Sequence, residues 1–387
     1  MAKLIEITGK ALSGEWGTDD ETGCGIPVLR TTNFTNEGIV NYRNVVTRTI
    51  TKKKIAEKYL RQGDIIIEKS GGSDKQPVGR VIYFDGPDST YLFNNFTGLL
   101  RVKDRNVWYP RYVFYSLFFN YRRGGTKAFE NKTTGLHNLK VDDYVSRCEV
   151  RVENIQKQVA ICEQLDRIFD IIRARQQQLQ KLDELIKARF VELFGIWKAI
   201  LSIGRLCALK ELVSIEPQNG LYKPQSAYVQ DGSGFPIVRI DAFYNGRVTD
   251  FSALKRLECS ESEVQRYLLQ EDDIVINRVN SIEYLGKCAH IKGLLEETVF
   301  ESNMMRLHLD DTVMNAVFAT KLLCSQYMHK QIMIRAKKAV NQASINQQDV
   351  LSFRMFVPPL ELQEQFAAFV EQTDKSKVVV QDEVNGL

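Results

Sequence analysis

The sequence predicts an α+β protein made of two similar domains with a long helix between them. Three observations carry that expectation. A heptad pattern runs from about Asn154 to Phe194. The stretches on either side of it match each other in order, at a nearly constant offset. Each side holds short β-type runs bounded by Gly, Pro, Asp and Asn, followed by an apolar stretch with helical spacing.

The helix comes first because everything else is placed by it. One seam carries Leu165, Ile172, Leu179, Ile186 and Leu193. A companion seam carries Ile155, Cys162, Phe169, Gln176, Asp183 and Phe190. Seven-residue spacing keeps such a stripe facing one neighbour. At 1.5 Å per residue the helix spans roughly 60 Å, longer than a small domain is wide. Asn154 is a natural N-cap and Gly195 a natural stop. Polar flanks such as Arg173, Arg175 and Lys181 exclude a membrane span. Gln176 and Asp183 interrupt the companion seam, where polar residues fix register or partner choice.

The repeat is read from ordered matches. Gly25–Arg30 matches Gly234–Arg239, and Gly63–Ile67 matches Asp272–Ile276, both at an offset of 209. Gly79-Arg80 matches Gly286-Lys287 at 207, and Arg101-Val102 matches Arg306-Leu307 at 205. Gly135–Asn138 matches Ala343–Asn346 at 208, and Ile155–Gln158 matches Leu362–Gln365 at 207. Such a period means two similar domains, each followed by a helix. Strands are expected at Ile26–Leu29, Ile65–Ile67 and Val81–Phe84, with counterparts at Ile237–Ile240 and Ile274–Ile276. Tyr112–Phe119 reads as a buried helix, and Val313–Tyr327 as its counterpart. Pro358-Pro359 opens the second long helix, where Leu362, Phe366 and Phe369 keep helical spacing. It is expected to run about half the length of the first. The expected divisions are a first domain over 1–152, the long helix over 153–196, a second domain over 197–357 and the closing helix over 358–387.

Composition narrows the class. The chain has 387 residues, 44% hydrophobic and 26% charged, with a net charge of +4. These are ordinary values for a globular protein. Seven scattered cysteines (Cys24, Cys148, Cys162, Cys207, Cys259, Cys288, Cys324) form no C-x-x-C and suggest a reducing compartment. The N-terminus lacks a signal-type apolar run, so a cytoplasmic location is expected. The four histidines show no metal spacing, and no nucleophile elbow, P-loop, dinucleotide fingerprint or methyltransferase signature is found. Carboxylate pairs such as Asp19-Asp20 and Asp310-Asp311 sit in polar surroundings and read as solvated turns or caps. A non-catalytic binding protein is therefore expected.

Basic and amide side chains gather in loops. From Arg101 to Lys140 there are nine Lys/Arg against two acids. Tyr121–Lys127 and Asn131–Gly135 mix guanidinium, hydroxyl, amide and glycine. The second half repeats the theme at Arg335, Lys337, Lys338, Asn341, Gln342 and Ser344. Lys and Arg neutralise phosphates, while Thr, Asn and Gln can read base edges. A solvated basic face is the plain alternative for any one loop; recurrence in both halves favours DNA.

The chain resembles the DNA-specificity (S) subunit of type I restriction–modification systems over nearly all of its length. The carriers are Gly25-Ile26-Pro27 with Arg30–Phe34, Gly63–Ile66, Thr133–Leu139 and Val357–Gln365, in that order and duplicated. The resemblance implies two target-recognition domains, each reading half of a split DNA site. It implies two long antiparallel, coiled-coil-like helices that separate them in a pseudo-twofold arrangement. It also implies docking of methyltransferase (M) subunits, up to two copies, to which restriction/translocase (R) subunits can add. No cofactor or metal belongs to this chain; S-adenosylmethionine, and ATP with magnesium for restriction, would be held by the partners. Two departures stand out: Glu271-Asp272 and Ala343-Ser344 replace Gln62-Gly63 and Gly135-Leu136, and the closing helix is short for the family.

On this reading one half-site is contacted by Arg30, Thr31, Thr32, Asn33, Lys69, Ser70, Ser73, Arg122, Arg123, Lys127, Lys132, Thr133, Thr134 and His137. The other is contacted by Arg239, Asn277, Arg278, Asn280, Lys287, Arg335, Lys337, Lys338, Asn341, Gln342 and Ser344. Partner subunits are expected on Leu165, Ile172, Leu179, Ile186, Leu193, Leu362, Phe366 and Phe369. The rival readings are a coiled-coil scaffold carrying two protein-binding domains, and an enzyme with an unrecognised site.

Overall fold

The computed structural model describes residues 1–52, 55–73, 76–133, 136–195, 204–340 and 342–386. Contacts divide the chain into two compact units, Met1–Ile172 and Arg173–Leu387.

The first unit is built on an antiparallel sheet in the order Leu12–Ser13, Thr97–Leu100, Ile65–Glu68, Val81–Tyr83. Ile65–Glu68 is buried along its whole length, and its first three residues form the apolar run that marks it as a strand. A second sheet runs Thr18–Asp19, Val46–Thr49, Ile26–Leu29, Leu92–Phe93, with its last pair parallel. A third is short: Glu130–Thr133, Leu136–Leu139, Ser70–Gly72. The helix Pro110–Arg122 begins with proline at its first turn and buries Val113, Phe114 and Leu117 against the main sheet's core.

The second unit repeats the plan. Its main sheet runs Val213–Asn219, Met304–Leu309, Ile274–Asn277, Cys288–His290, Gly246–Val248, Phe243–Tyr244. Its second runs Tyr228–Val229, Arg256–Leu257, Phe235–Val238, Val299–Phe300, again with the last pair parallel. Its third is Val279–Asn280, Ala343–Ser344, Lys337–Lys338. The helix expected over Val313–Tyr327 is two helices, Ala316–Leu323 and Gln326–Arg335. Ser325 ends the continuity, because its hydroxyl accepts from Met328 N and starts a new helix.

The same hydrogen bonds recur in both units and fix the correspondence. Asp64 accepts from Arg61 N and from Arg101; Asp273 accepts from Gln270 N and contacts His308 Nδ1 at 2.8 Å. Arg80 donates to Thr31 O and lies over Phe34; Lys287 donates to Ile240 O and lies over Phe243. Leu139 N donates to Lys69 O, and Ile345 N to Arg278 O. Leu139 therefore corresponds to Ile345, two residues out of the register expected from Gly135–Asn138 and Ala343–Asn346. Lost residues fall in the connections, where length is least constrained. Gly63 has φ +92, and Asp272 in its place has φ +65. Asp is among the few side chains that accept this left-handed conformation, so the turn survives the loss of glycine.

The long helix is one element, Ile155–Phe194, of 40 residues. Asn154 Oδ1 caps it by accepting from Lys157 N at 2.8 Å. The closing helix, Leu360–Asn385, has 26 residues and so exceeds the half-length expected. Within the second unit it lies antiparallel to the later part of the long helix. Phe366 meets Phe190 at a ring distance of 5.5 Å, Lys377 meets Asp183 at 2.6 Å, and Glu383 meets Arg175 at 2.8 Å. Asp183, the polar interruption of the seam, thus receives the buried ammonium of Lys377.

The seam is used differently from the expectation. Leu165 packs on the core of the first unit. Ile186, Leu193, Leu362, Phe366 and Phe369 belong to the core of the second. Packing inside the chain has consumed them, because each domain buries its apolar face on its own length of helix. Ile172 and Leu179 are half-buried and lie outside those clusters. The apolar side chains that the second unit leaves exposed on these helices are others: Leu185, Val191, Val378 and Val379.

Candidate nucleic-acid interface

In the first unit three loops converge beside the short sheet. Ser70 and Gly72 pair with Asn138 and His137, which joins the Lys69–Ser73 segment to the hairpin Glu130–Leu139. Arg80 ties the turn at Thr31 to the same place, through Thr31 O at 3.2 Å. Its other partner is the buried carboxylate of Glu68, at 2.9 and 3.0 Å. Tyr121 Oη donates to Pro77 O and brings in the end of the helix that carries Arg122 and Arg123. Thr32, Ser73, Arg122, Arg123 and Lys127 are exposed at this edge.

Other predicted residues have internal duties. Asn33 is buried; its Oδ1 accepts from Arg30 N and its Nδ2 donates to Asn41 O. It shapes the turn and presents no free amide. His137 is buried with Nδ1 at 3.0 Å from Glu130 Oε1. Arg30 donates to Asn44 O. Lys69 is half-buried, donates to Ser13 Oγ, and is pushed below its ordinary pKa by burial. Thr134 and Asn341 lie outside the described residues, and so do the side chains of Lys132 and Thr133.

In the second unit the short sheet brings Arg278, Asn280, Lys337, Lys338 and Ser344 together. Ala339 N donates to Gln342 O and closes the hairpin turn, leaving Lys337, Lys338 and Gln342 exposed. Arg278 Nε donates to Ser302 O, in the place that Lys69 occupies in the first unit. Asn277 is wholly buried and donates to Tyr284 O, so it supports the loop from below. Arg335 is spent on Ser352 and on Gln331 O at the end of its helix. Arg239 lies over Tyr228 and pairs with Glu301 at 3.3 Å.

Lys287 shows how the units diverge. It occupies the place of Arg80, but Asn277 stands where Glu68 would be. With no buried carboxylate beside it, burial pushes the ammonium below its ordinary pKa. Ile240 O and the faces of Phe243 and Tyr244 hold it instead.

A scan for charges and amides misses two apolar residues at this edge. Val340 at the hairpin tip is 99% exposed and Ile334 is 81% exposed. The sequence signal is slight: Val340 follows Lys337-Lys338-Ala339 and precedes Asn341-Gln342. No helix among the described residues is long and apolar enough to cross a membrane.

Two copies of one scaffold, each with exposed cations beside the same short sheet and joined by a continuous helix, define a two-domain binding protein. The comparisons give that class its family. The model of the type I restriction modification DNA specificity domain matches residues 2–184 and again 206–383, and the chain belongs to that family. It is 23% identical over 380 residues to the EcoKI specificity subunit of Escherichia coli (strain K12), covering 93% of this chain and 78% of that one. It is 23% identical over 377 residues to the StySPI specificity subunit of Salmonella potsdam, with the same coverage. The S subunit structure from M. genitalium superposes with a TM-score of 0.56 at 16% identity, covering 99% of this chain and 91% of that one. A structure described as concerning complex assembly and conformational transition of the type I system superposes with a TM-score of 0.54 at 15% identity, covering 100% and 92%.

Proposed function

We propose that this chain is the non-catalytic specificity subunit of a type I restriction–modification complex and reads a bipartite DNA site. The observation that carries the reading is the duplicated short sheet, with Lys69 and Arg278 at equivalent positions and exposed cations beside both. The recognition domains are 1–152 and 197–357, and the segments 153–196 and 358–387, which hold the helices Ile155–Phe194 and Leu360–Asn385, are the spacers. Two linked readers multiply specificity, because the second contact becomes intramolecular once the first forms.

The first domain contacts DNA through Thr32, Ser73, Arg122, Arg123 and Lys127. The second uses Lys337, Lys338, Gln342 and Ser344, with Val340 available to a thymine methyl. Methyltransferase subunits dock on the exposed apolar helix residues Leu185, Val191, Val378 and Val379, and restriction subunits join that assembly. S-adenosylmethionine, ATP and magnesium act in those partners, in the cytoplasm. The test is methylation by the assembled complex on duplexes in which one half of the target is randomised at a time. Loss of selectivity at one half only, when the matching domain is altered, supports the reading. Indifference of the complex to duplex sequence overturns it.

A further inference from the structure

Two cysteines meet in the second unit away from the short sheet. Cys288 opens the strand Cys288–His290 and is buried; Cys324 caps the end of the helix Ala316–Leu323 and is exposed. Their sulfurs are 3.3 Å apart. Both line a cavity of about 990 Å³, shared with Lys321 and Gly246. Gly246 lies beside Cys324: a Cβ there would stand in ordinary contact with Sγ, at 3.7 Å. Lys321 is held in place by Asn245 O at 2.8 Å.

We propose that Cys288 and Cys324 are a redox site that a hydroperoxide closes to a disulfide. The two thiols differ in the way such a reaction needs. The hydrogen bond with Cys288, and then the charge of Lys321, hold the Cys324 thiol below its ordinary pKa. The same hydrogen bond and burial push Cys288 up. The thiolate is the nucleophile, so Cys324 attacks and Cys288 resolves. Cys324 Sγ takes the terminal oxygen of the hydroperoxide; the O–O bond breaks and the alcohol or water leaves with a proton. The sulfenic acid so formed is then attacked by Cys288 Sγ, and its hydroxyl departs as water with the Cys288 proton. Two thiols lose two electrons and two protons, and the hydroperoxide becomes alcohol and water. Bonding requires the sulfurs to close to about 2.0 Å, a shift of roughly 1.3 Å that a cysteine at a helix end can supply by side-chain rotation. The bond would fasten the strand to the helix and close a loop between positions 36 apart in sequence.

The experiment uses the reduced full chain, hydrogen peroxide, alkylation of remaining thiols under denaturing conditions, and a non-reducing peptide map. The expected result is a Cys288–Cys324 linked peptide, lighter by two hydrogens and reversed by dithiothreitol, formed before the exposed Cys24 is modified. With Cys324→Ser, the same peroxide dose should leave Cys288 fully alkylated. If both cysteines of the parent chain still alkylate after Cys24 has been oxidised, or if Cys324 ends as a sulfinic acid without linking, the proposal fails.

Discussion

Gln158 and Gln363 make the same three hydrogen bonds in the two units. Gln158 Oε1 accepts from Tyr109 N at 2.8 Å, and its Nε2 donates to Val107 O and Glu153 O. Gln363 Oε1 accepts from Asn315 N at 2.9 Å, and its Nε2 donates to Val313 O and Pro358 O. Tyr109 and Asn315 each precede the main helix of their unit. One buried amide therefore pins the start of the domain helix to the start of the long helix that follows. The match is Gln158 with Gln363, not with Gln365 as the sequence alignment suggested.

Replacing either glutamine by leucine keeps the volume and strands buried backbone groups. Each orphaned group costs about 1–3 kcal/mol. Gln158→Leu and Gln363→Leu are each expected to lower stability by at least that much, read from urea unfolding of the full chain.

Glu68→Gln should be among the most damaging single changes in the first unit. It leaves the Arg80 guanidinium mostly buried without its carboxylate. Removing one partner of a buried pair costs about 3–5 kcal/mol. The second unit shows the alternative solution, in which Asn277 and Lys287 avoid an ion pair at that place.

Lys377 and Asp183 should be energetically coupled across the antiparallel helices. The lysine head is almost wholly buried and Asp183 is its partner at 2.6 Å. A double-mutant cycle with Lys377→Met and Asp183→Asn should return a coupling of about 0.5–3 kcal/mol. Additive effects would mean that the contact does not hold the helices together.

His290 should make the second unit sensitive to mild acid. Burial holds its imidazole below the ordinary pKa, although Nε2 meets Asp272 Oδ1 at 2.7 Å. The unfolded histidine takes up its proton near pH ~6.5, whereas the folded one takes it up at lower pH. The unfolded state then binds more protons, so stability is full above that value and falls as pH drops toward the folded pKa. His290→Gln should flatten this part of a stability–pH curve measured between neutral and mildly acid buffers.

Lys337 and Lys338 are expected to act as phosphate contacts. Changing both to alanine should weaken binding to all duplexes and reduce the salt slope by about 2, at about 0.9 per phosphate contact. Preference at the half-site read by the first unit should be unchanged, as measured by fluorescence titration at several salt concentrations.

Local patterns announced much of this molecule. Heptad spacing and Asn154 marked the long helix within a residue or two, since helices are written in near-neighbour spacing. Gly25-Ile26-Pro27 marked the strand Ile26–Leu29, whereas its counterpart runs Phe235–Val238, two residues before the expected Ile237–Ile240, because Ile240 opens a 3-10 turn. The interface was less legible. Asn33, Asn277 and Arg335 look like base or phosphate readers in a list of polar loop residues. Asn33 and Asn277 are occupied by backbone carbonyls and Arg335 by the Ser352 hydroxyl, partners outside their own turns or helix.

Amino-acid order alone settled that there are two related α+β units with a long helix between them, because repetition and periodicity are properties of the chain as written. Folding decided which of its polar side chains remain free, that the seam at Ile186 and Phe366 closes inside the protein, and that Cys288 and Cys324 stand together. Those outcomes depend on contacts between residues far apart in sequence, and their partners exist only once the strands have been brought side by side.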